Sequence, residues 1–166
     1  MRQELLKGLK ELNVVERGTF ALHGGNVTDF YVDIKKAYGN PEIFNYICDA
    51  VWEEMDARAT CVAGMGYGGE PLATALSLSY GLNLVLLREQ PKTHGRIGYI
   101  DGHVPTKEDR VVIVDDVATK GETLKKAIEI IGQTGAEILG CHVVVKRGEV
   151  KLDIPFHYLF TAEDLL

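Results

Sequence analysis

Two adjacent carboxylates, Asp115 and Asp116, end the aliphatic run Val111-Val112-Ile113-Val114 and lead into Val117-Ala118-Thr119-Lys120-Gly121-Glu122-Thr123. Polar residues after a buried strand need mark only the edge of a core. The residues that follow point further. At a helix start, free backbone N–H groups and the hydroxyls of Thr119 and Thr123 can converge on a phosphate, favoured by the helix dipole. Gly121 permits the unusual dihedrals or the close backbone approach that such a cradle needs. Carboxylates beside a phosphate repel it unless another partner intervenes. Sugar hydroxyls can donate to them, and a magnesium ion can bridge hydroxyls and phosphate oxygens. The stretch therefore asks for a ligand with ribose hydroxyls at one end and a phosphate at the other. It lacks the Gly-Lys-Ser/Thr ending of a P-loop.

Two further stretches carry groups suited to anions. Gly64, Gly66, Gly68 and Gly69 surround Tyr67 and leave backbone amides free to wrap pyrophosphate oxygens; a tight strand-to-helix turn is the alternative reading. Arg88, Lys92 and His94 place positive charge on a polar segment containing Gly95 and Gly98. Closure of such a segment would exclude water and neutralise a leaving group; a solvated loop is the alternative. The three cysteines, Cys48, Cys61 and Cys141, match neither a disulfide framework nor a zinc spacing. Cys61 and Cys141 fall in predicted strands and read as buried, inert thiols. His23, His103, His142 and His157 are assigned no chemistry, and His142 reads as structural.

The bulk of the chain sets limits. Its 166 residues suit one domain with a real core, and 46% hydrophobic with 25% charged residues is ordinary for a globular protein. No apolar run is long enough to cross a bilayer. The net charge of −6 argues against non-specific nucleic-acid binding, which needs a basic face. The opening MRQELLKGLKELNVVERG interleaves charges with leucines and shows no signal-peptide core, so a cytoplasmic location is expected.

The elements that must position these groups follow from periodicity. Leu5, Leu6, Leu9 and Leu12 predict an amphipathic first helix. Phe20 to Leu22 and Phe30 to Ile34 predict short strands around His23-Gly24-Gly25-Asn26. Asn40-Pro41 offers a helix start, with Ile43, Ile47, Ala50 and Val51 as the buried stripe to about Met55. Next come a strand at Thr60 to Ala63, a helix at Pro71 to Tyr80 ended by Gly81, and a strand at Leu84 to Leu87. A polar loop spans roughly Glu89 to Lys107. Beyond it lie a strand at Val111 to Val114, a helix at Glu122 to Gln133, and strands at Ile138 to Val145 and Phe156 to Phe160. This order predicts an α/β fold: a mostly parallel twisted sheet with helices on both faces, its ligands at the carboxyl edge.

The run VVIVDDVATKGETL resembles the signature of the type I phosphoribosyltransferases at both acids, Thr119, Gly121 and Thr123. FALHGGNVTDFYVDIKKAYGNPEIF resembles the N-terminal hood of the orotate branch, VAGMGYGGEPLATALSLSYGLNLVLLRE its pyrophosphate loop, and LREQPKTHGRIGYIDG its mobile loop. The resemblance implies a single domain over residues 1–166, with residues 1–40 contributing the hood. It also implies that 5-phosphoribosyl-1-diphosphate (PRPP) is held by Tyr67, Gly68, Arg88, Lys92, His94, Asp115, Asp116, Val117, Ala118, Thr119, Lys120, Gly121, Glu122 and Thr123. Catalysis would fall to Lys92, His94, Asp115 and Asp116. Gly25, Asn26, Tyr31, Thr119 and Arg147 would hold the base, with Arg147 facing an orotate carboxylate. Mg2+ is implied as cofactor, held by Asp115 and Asp116 indirectly through ribose or water. A homodimer is implied, with Lys92 and His94 acting in the partner subunit's site.

Four positions depart from the family pattern by losing a cation or moving one: Glu89, Gly68, Asn26 and Lys146. Transfer of phosphoribose to orotate is the expected activity. A purine or other base as acceptor, and a PRPP-sensing regulator without turnover, are the alternatives.

Overall fold

The computed structural model describes residues 1–21, 25–93 and 98–166. In chain order its elements are α1 (Arg2–Glu11), β1 (Val15–Ala21), β2 (Val27–Val32), α2 (Lys35–Tyr38), α3 (Pro41–Glu54), β3 (Cys61–Met65), α4 (Gly66–Tyr80), β4 (Asn83–Leu87), β5 (Ile100–Gly102), β6 (Arg110–Ala118), α5 (Glu122–Gly132), β7 (Glu137–Lys146), β8 (Phe156–Thr161) and α6 (Ala162–Leu165). Strands β1 and β2 pair antiparallel as a separate ribbon. The other six form one sheet in the order β5-β4-β3-β6-β7-β8, parallel throughout except for β4 with β5.

Alternation along β6 divides the core in two. Val112 and Val114 join the buried cluster beneath α1, α3 and α4, whereas Val111 and Ile113 join the cluster beneath α5. Both sides of the strand are thus apolar, which is why it reads as a continuous aliphatic run. Burial contributes about 1.5–3 kcal/mol for each such side chain. Helices do cover both faces of a mostly parallel sheet, as the sequence predicts.

The start of α3 is set locally. Asn40 accepts hydrogen bonds from the Glu42 and Ile43 amides at 3.1 and 3.2 Å, and Pro41 occupies the first helical position. Ile47, Ala50 and Val51 are buried as expected, and Ile43 is partly buried. Gly81, in the left-handed region at φ 69°, ends α4.

Several boundaries differ from the sequence reading. The ribbon strands begin earlier than predicted, and Leu22, His23 and Gly24 lie outside the described residues. Helix α4 starts at Gly66 rather than Pro71, so the glycine-rich stretch forms its first turns. Pro71 therefore lies inside the helix as its sixth residue, where it removes one backbone donor. Strand β5 arises within the predicted polar loop, pairing antiparallel at the sheet edge. Its three residues are too few to show a period. Strand β6 continues through Asp115 and Asp116 to Ala118, paired with β7 along that length.

The chain order places the site. From β3 it crosses through α4 to β4 on one side, and from β6 through α5 to β7 on the other. The order therefore reverses between β3 and β6, opening a crevice at their carboxyl ends.

Candidate active site

Because successive strand residues point to opposite faces, Asp115 and Asp116 diverge. Asp115 lines a cavity of about 490 Å³ with Asn26, Ala118, Thr119, Gly121, Glu122, Thr123 and neighbours. Its Oδ1 accepts the Asp116 amide at 2.9 Å, and the carboxyl is buried at 8% exposure. Burial first, then the charge of Asp116, pushes its pKa well above the ordinary carboxylate value. Asp116 points toward α2 and α4. Its Oδ1 accepts the Val117 amide at 2.8 Å, and its Oδ2 lies 3.4 Å from the Lys35 ammonium.

The floor of the cavity is a helix start left open. Gly121 adopts φ 81° as the residue preceding α5, and no side chain caps that end. The first backbone N–H groups of α5 are therefore left open to a ligand. Thr119, Lys120, Glu122 and Thr123 are exposed around them. The loop is braced from below: the Arg147 amide donates to the Ala118 carbonyl at 2.8 Å, and a Cβ on Gly148 would come within 2.6 Å of the Thr119 carbonyl oxygen.

Arg147 also ties the loop to the ribbon. Its Nη2 donates to Thr28 Oγ1 at 2.6 Å and to the Phe30 carbonyl at 2.8 Å, and its guanidinium lies 4.5 Å from the Phe30 ring centre. Asn26 reaches the same cavity, next to Gly25 at φ 83°. Tyr31 is 37% exposed and packs on Phe20 with ring centres 5.8 Å apart. Phe30, not Tyr31, is the ring beneath Arg147.

Across the crevice, α4 presses on β6. A Cβ on Gly68 would stand 2.2 Å from Asp116 Oδ1, and one on Gly64 would stand 2.3 Å from the Gly69 carbonyl oxygen. The glycines thus provide closeness between helix start and strand ends. The Tyr38 hydroxyl donates to the Gly68 carbonyl at 2.7 Å and fixes that turn. Tyr67 is 87% exposed.

The remaining cations sit elsewhere. Arg88 and Lys92 both pair with Asp101, Lys92 at 3.0 Å. Hydrogen bonds from Lys92 first and Arg88 second lower the Asp101 pKa. The structure brings Asp115, Asn26 and the loop Val117 to Thr123 together, with Asp116 and Gly68 behind them. It holds Arg88 and Lys92 on Asp101. His94 and Gly95 lie outside the described residues. Among the departures, Lys146 directs its ammonium onto Tyr158 at 4.9 Å from the ring centre.

Three contributors escape sequence reasoning. Lys35 faces Asp116 at 3.4 Å and Asp33 at 3.6 Å. Burial alone would lower its pKa, but the charges of Asp116, Asp33 and Tyr31 outweigh that and raise it. Its charged setting after Asp33 was a usable signal. Tyr38 and Asp101 act through contacts that no local pattern announces.

The chain matches a family model described as phosphoribosyl transferase domain over residues 40–164. The orotate phosphoribosyltransferase of Methanosphaera stadtmanae is 38% identical over 89% of this chain and 83% of its own. That of Methanosarcina acetivorans is 36% identical over 99% of this chain and 91% of its own. The crystal structure of orotate phosphoribosyltransferase from Aeropyrum pernix superposes with a TM-score of 0.86 at 32% identity, covering 98% of this chain and 96% of that one. With an acid-bearing strand, an open helix start and a glycine-lined crevice in these places, the chain belongs to the phosphoribosyltransferase family.

Proposed function

We propose that the chain is an orotate phosphoribosyltransferase, forming orotidine 5′-monophosphate and pyrophosphate from orotate and PRPP. The observation that carries the reading is the cavity in which Asp115 meets the uncapped start of α5 beneath Asn26 of the ribbon. Relatives covering most of the chain carry the same activity in their names. We read residues 1–166 as one domain with residues 1–40 as its hood.

In this reading the amides of α5 and the hydroxyls of Thr119 and Thr123 take the 5′-phosphate. Asp115 and Asp116 accept hydrogen bonds from the ribose hydroxyls. The base lies between the ribbon and Arg147, whose charge faces its carboxylate. The bond from the sugar's anomeric carbon to pyrophosphate breaks as the bond to the orotate ring nitrogen forms, and the proton of that nitrogen passes to the departing pyrophosphate. Charge builds on the sugar as in other glycosyl transfers, and no nucleophilic side chain is required. Positioning and electrostatics carry the rate.

The donor set suits Mg2+. Asp115 and Asp116 stand at the crevice with the Lys35 ammonium 3.4 Å from Asp116, and Asp33 Oδ1 is buried with no hydrogen bond among the described residues, the same ammonium standing 3.6 Å away. A divalent ion binds through one or two carboxylates plus substrate oxygens. When bound it would neutralise the diphosphate. Asp115 and Asp116 would hold it through the ribose or water.

Lys92 and His94 are assigned to a partner subunit's site in a homodimer. The support is twofold: Lys92 is held by Asp101, and α4 exposes Tyr67 and Leu78, at 87% and 83%, along one line of the helix. No helix among the described residues is long and apolar enough to cross a membrane.

The test follows orotate absorbance with PRPP and magnesium. Consumption of orotate, with adenine and hypoxanthine untouched, is expected. Consumption of a purine instead, or PRPP binding with no base consumed, would overturn the assignment.

A further inference from the structure

At the opposite, amino edge of the sheet, three chemically different ligands converge from separate segments. Cys61 opens β3, His103 follows β5, and Asp109 precedes β6. One ligand atom from each lies within 4.8 Å of the other two. We propose that Cys61, His103 and Asp109 form a binding site for a zinc-class divalent metal, distinct from the reaction site.

The backbone already fixes all three. The His103 amide donates to the Leu84 carbonyl at 2.8 Å, the Glu137 amide to the Asp109 carbonyl at 3.1 Å, and Cys61 is paired on both sides by β4 and β6. The carboxylate is also oriented. Thr60 Oγ1 donates to Asp109 Oδ1 at 2.9 Å and the Thr106 amide to Oδ2 at 3.0 Å. Such outer hydrogen bonds aim a ligand and leave a lone pair on Oδ2 directed at His103, 2.9 Å away.

Donor type selects the metal. One thiolate, one imidazole and one carboxylate suit zinc or cobalt and not magnesium, which takes oxygens. Bonds of about 2.0–2.3 Å in a tetrahedron separate ligand atoms by roughly 3.3–3.7 Å, so the half-exposed His103 need shift only slightly. Binding forms the metal–sulfur bond and releases the thiol proton to solvent. Because the thiol proton is released on binding, affinity rises with pH. The ion would pin the β5–β6 connection to the start of β3. Sequence spacing hides the site because its ligands are 42 and 6 residues apart.

The test uses the full chain, stripped with chelator and titrated with Co2+. We expect one equivalent, a near-ultraviolet thiolate-to-cobalt band, and displacement by Zn2+. The band should vanish in Cys61→Ser and persist in Cys48→Ser. His103→Gln, on the exposed side, should weaken binding by about tenfold or more. A wild-type protein with no thiolate band in excess cobalt, a band that survives Cys61→Ser, or unchanged affinity in His103→Gln would each overturn the site. None of these readouts depends on phosphoribosyl transfer.

Discussion

Lys35 extends from the short helix α2 to place its ammonium 3.4 Å from Asp116 Oδ2, across the reversal in strand order. Among the described residues it is the cation paired with Asp116. Gly68 and Asn26, neither of which carries a charge, lie in the same region, which gives this contact weight.

Replacing Lys35 with alanine should therefore raise the KM for PRPP by roughly twofold to fivefold, the range of a partly exposed ion pair. Turnover at saturation should change less, and Lys35→Arg should restore most of the loss. Initial-rate kinetics at varied PRPP decide the matter; an unchanged KM would remove Lys35 from the site.

Asp115→Asn with Asp116→Asn should abolish PRPP binding, measured by calorimetry, while the circular dichroism spectrum stays that of the parent. Turnover at a comparable rate in that double variant would refute the assignment of the acids.

Asp115 alone makes a stability prediction. Its folded pKa lies above the ordinary 3.8, so in the window above that value the native state binds more protons than the unfolded one. Stability contributed by the protonated form is present below the unfolded pKa and is lost as pH rises through the folded one. Asp115→Asn should thus raise the melting temperature of the free protein at pH 7, with little effect near pH 3. Thermal melts across that range test it; a lower melting temperature at pH 7 would contradict it.

His142 predicts a separate acid limb. The ring is 4% exposed and stacks on His157 at 4.6 Å. Burial first, then the neighbouring imidazole, lowers its pKa from 6.5 to about 4. A depressed folded pKa means stability present above 6.5 and lost as pH falls toward 4, by an amount on the order of 3 kcal/mol. Urea titrations at pH 7 and pH 4.5 should show that loss in the parent and a smaller one in His142→Gln.

Arg147→Ala should raise the KM for orotate at least about tenfold through loss of a charge-assisted contact. Because Arg147 also donates to Thr28 and the Phe30 carbonyl, the ribbon should loosen, seen as faster amide exchange in β2. Protection in β2 equal to that of the parent would argue that the ribbon is held by other contacts.

Periodicity made the sheet readable. Aliphatic runs buried on both faces, the Asn40-Pro41 start and the Gly81 stop each impose structure within a few residues. The acid pair and its loop were legible for the same reason, since a strand end, a glycine and two threonines are a local pattern. What escaped were relations across the sequence. Lys35 and Asp116 are 81 positions apart, and the Asp101 pairing depends on an edge strand of three residues. The glycines of α4 read as a loop because their composition disfavours helix; packing against Asp116 and Val114 overrides that preference.

The contact between Gly68 and Asp116 has an engineering corollary. A side chain of any size at 68 would first evict the carboxylate, so these two sites behave as one variable. Libraries that diversify position 68 with Asp116 fixed will chiefly sample misplaced acids, and useful variants there will emerge only when both positions are mutated jointly.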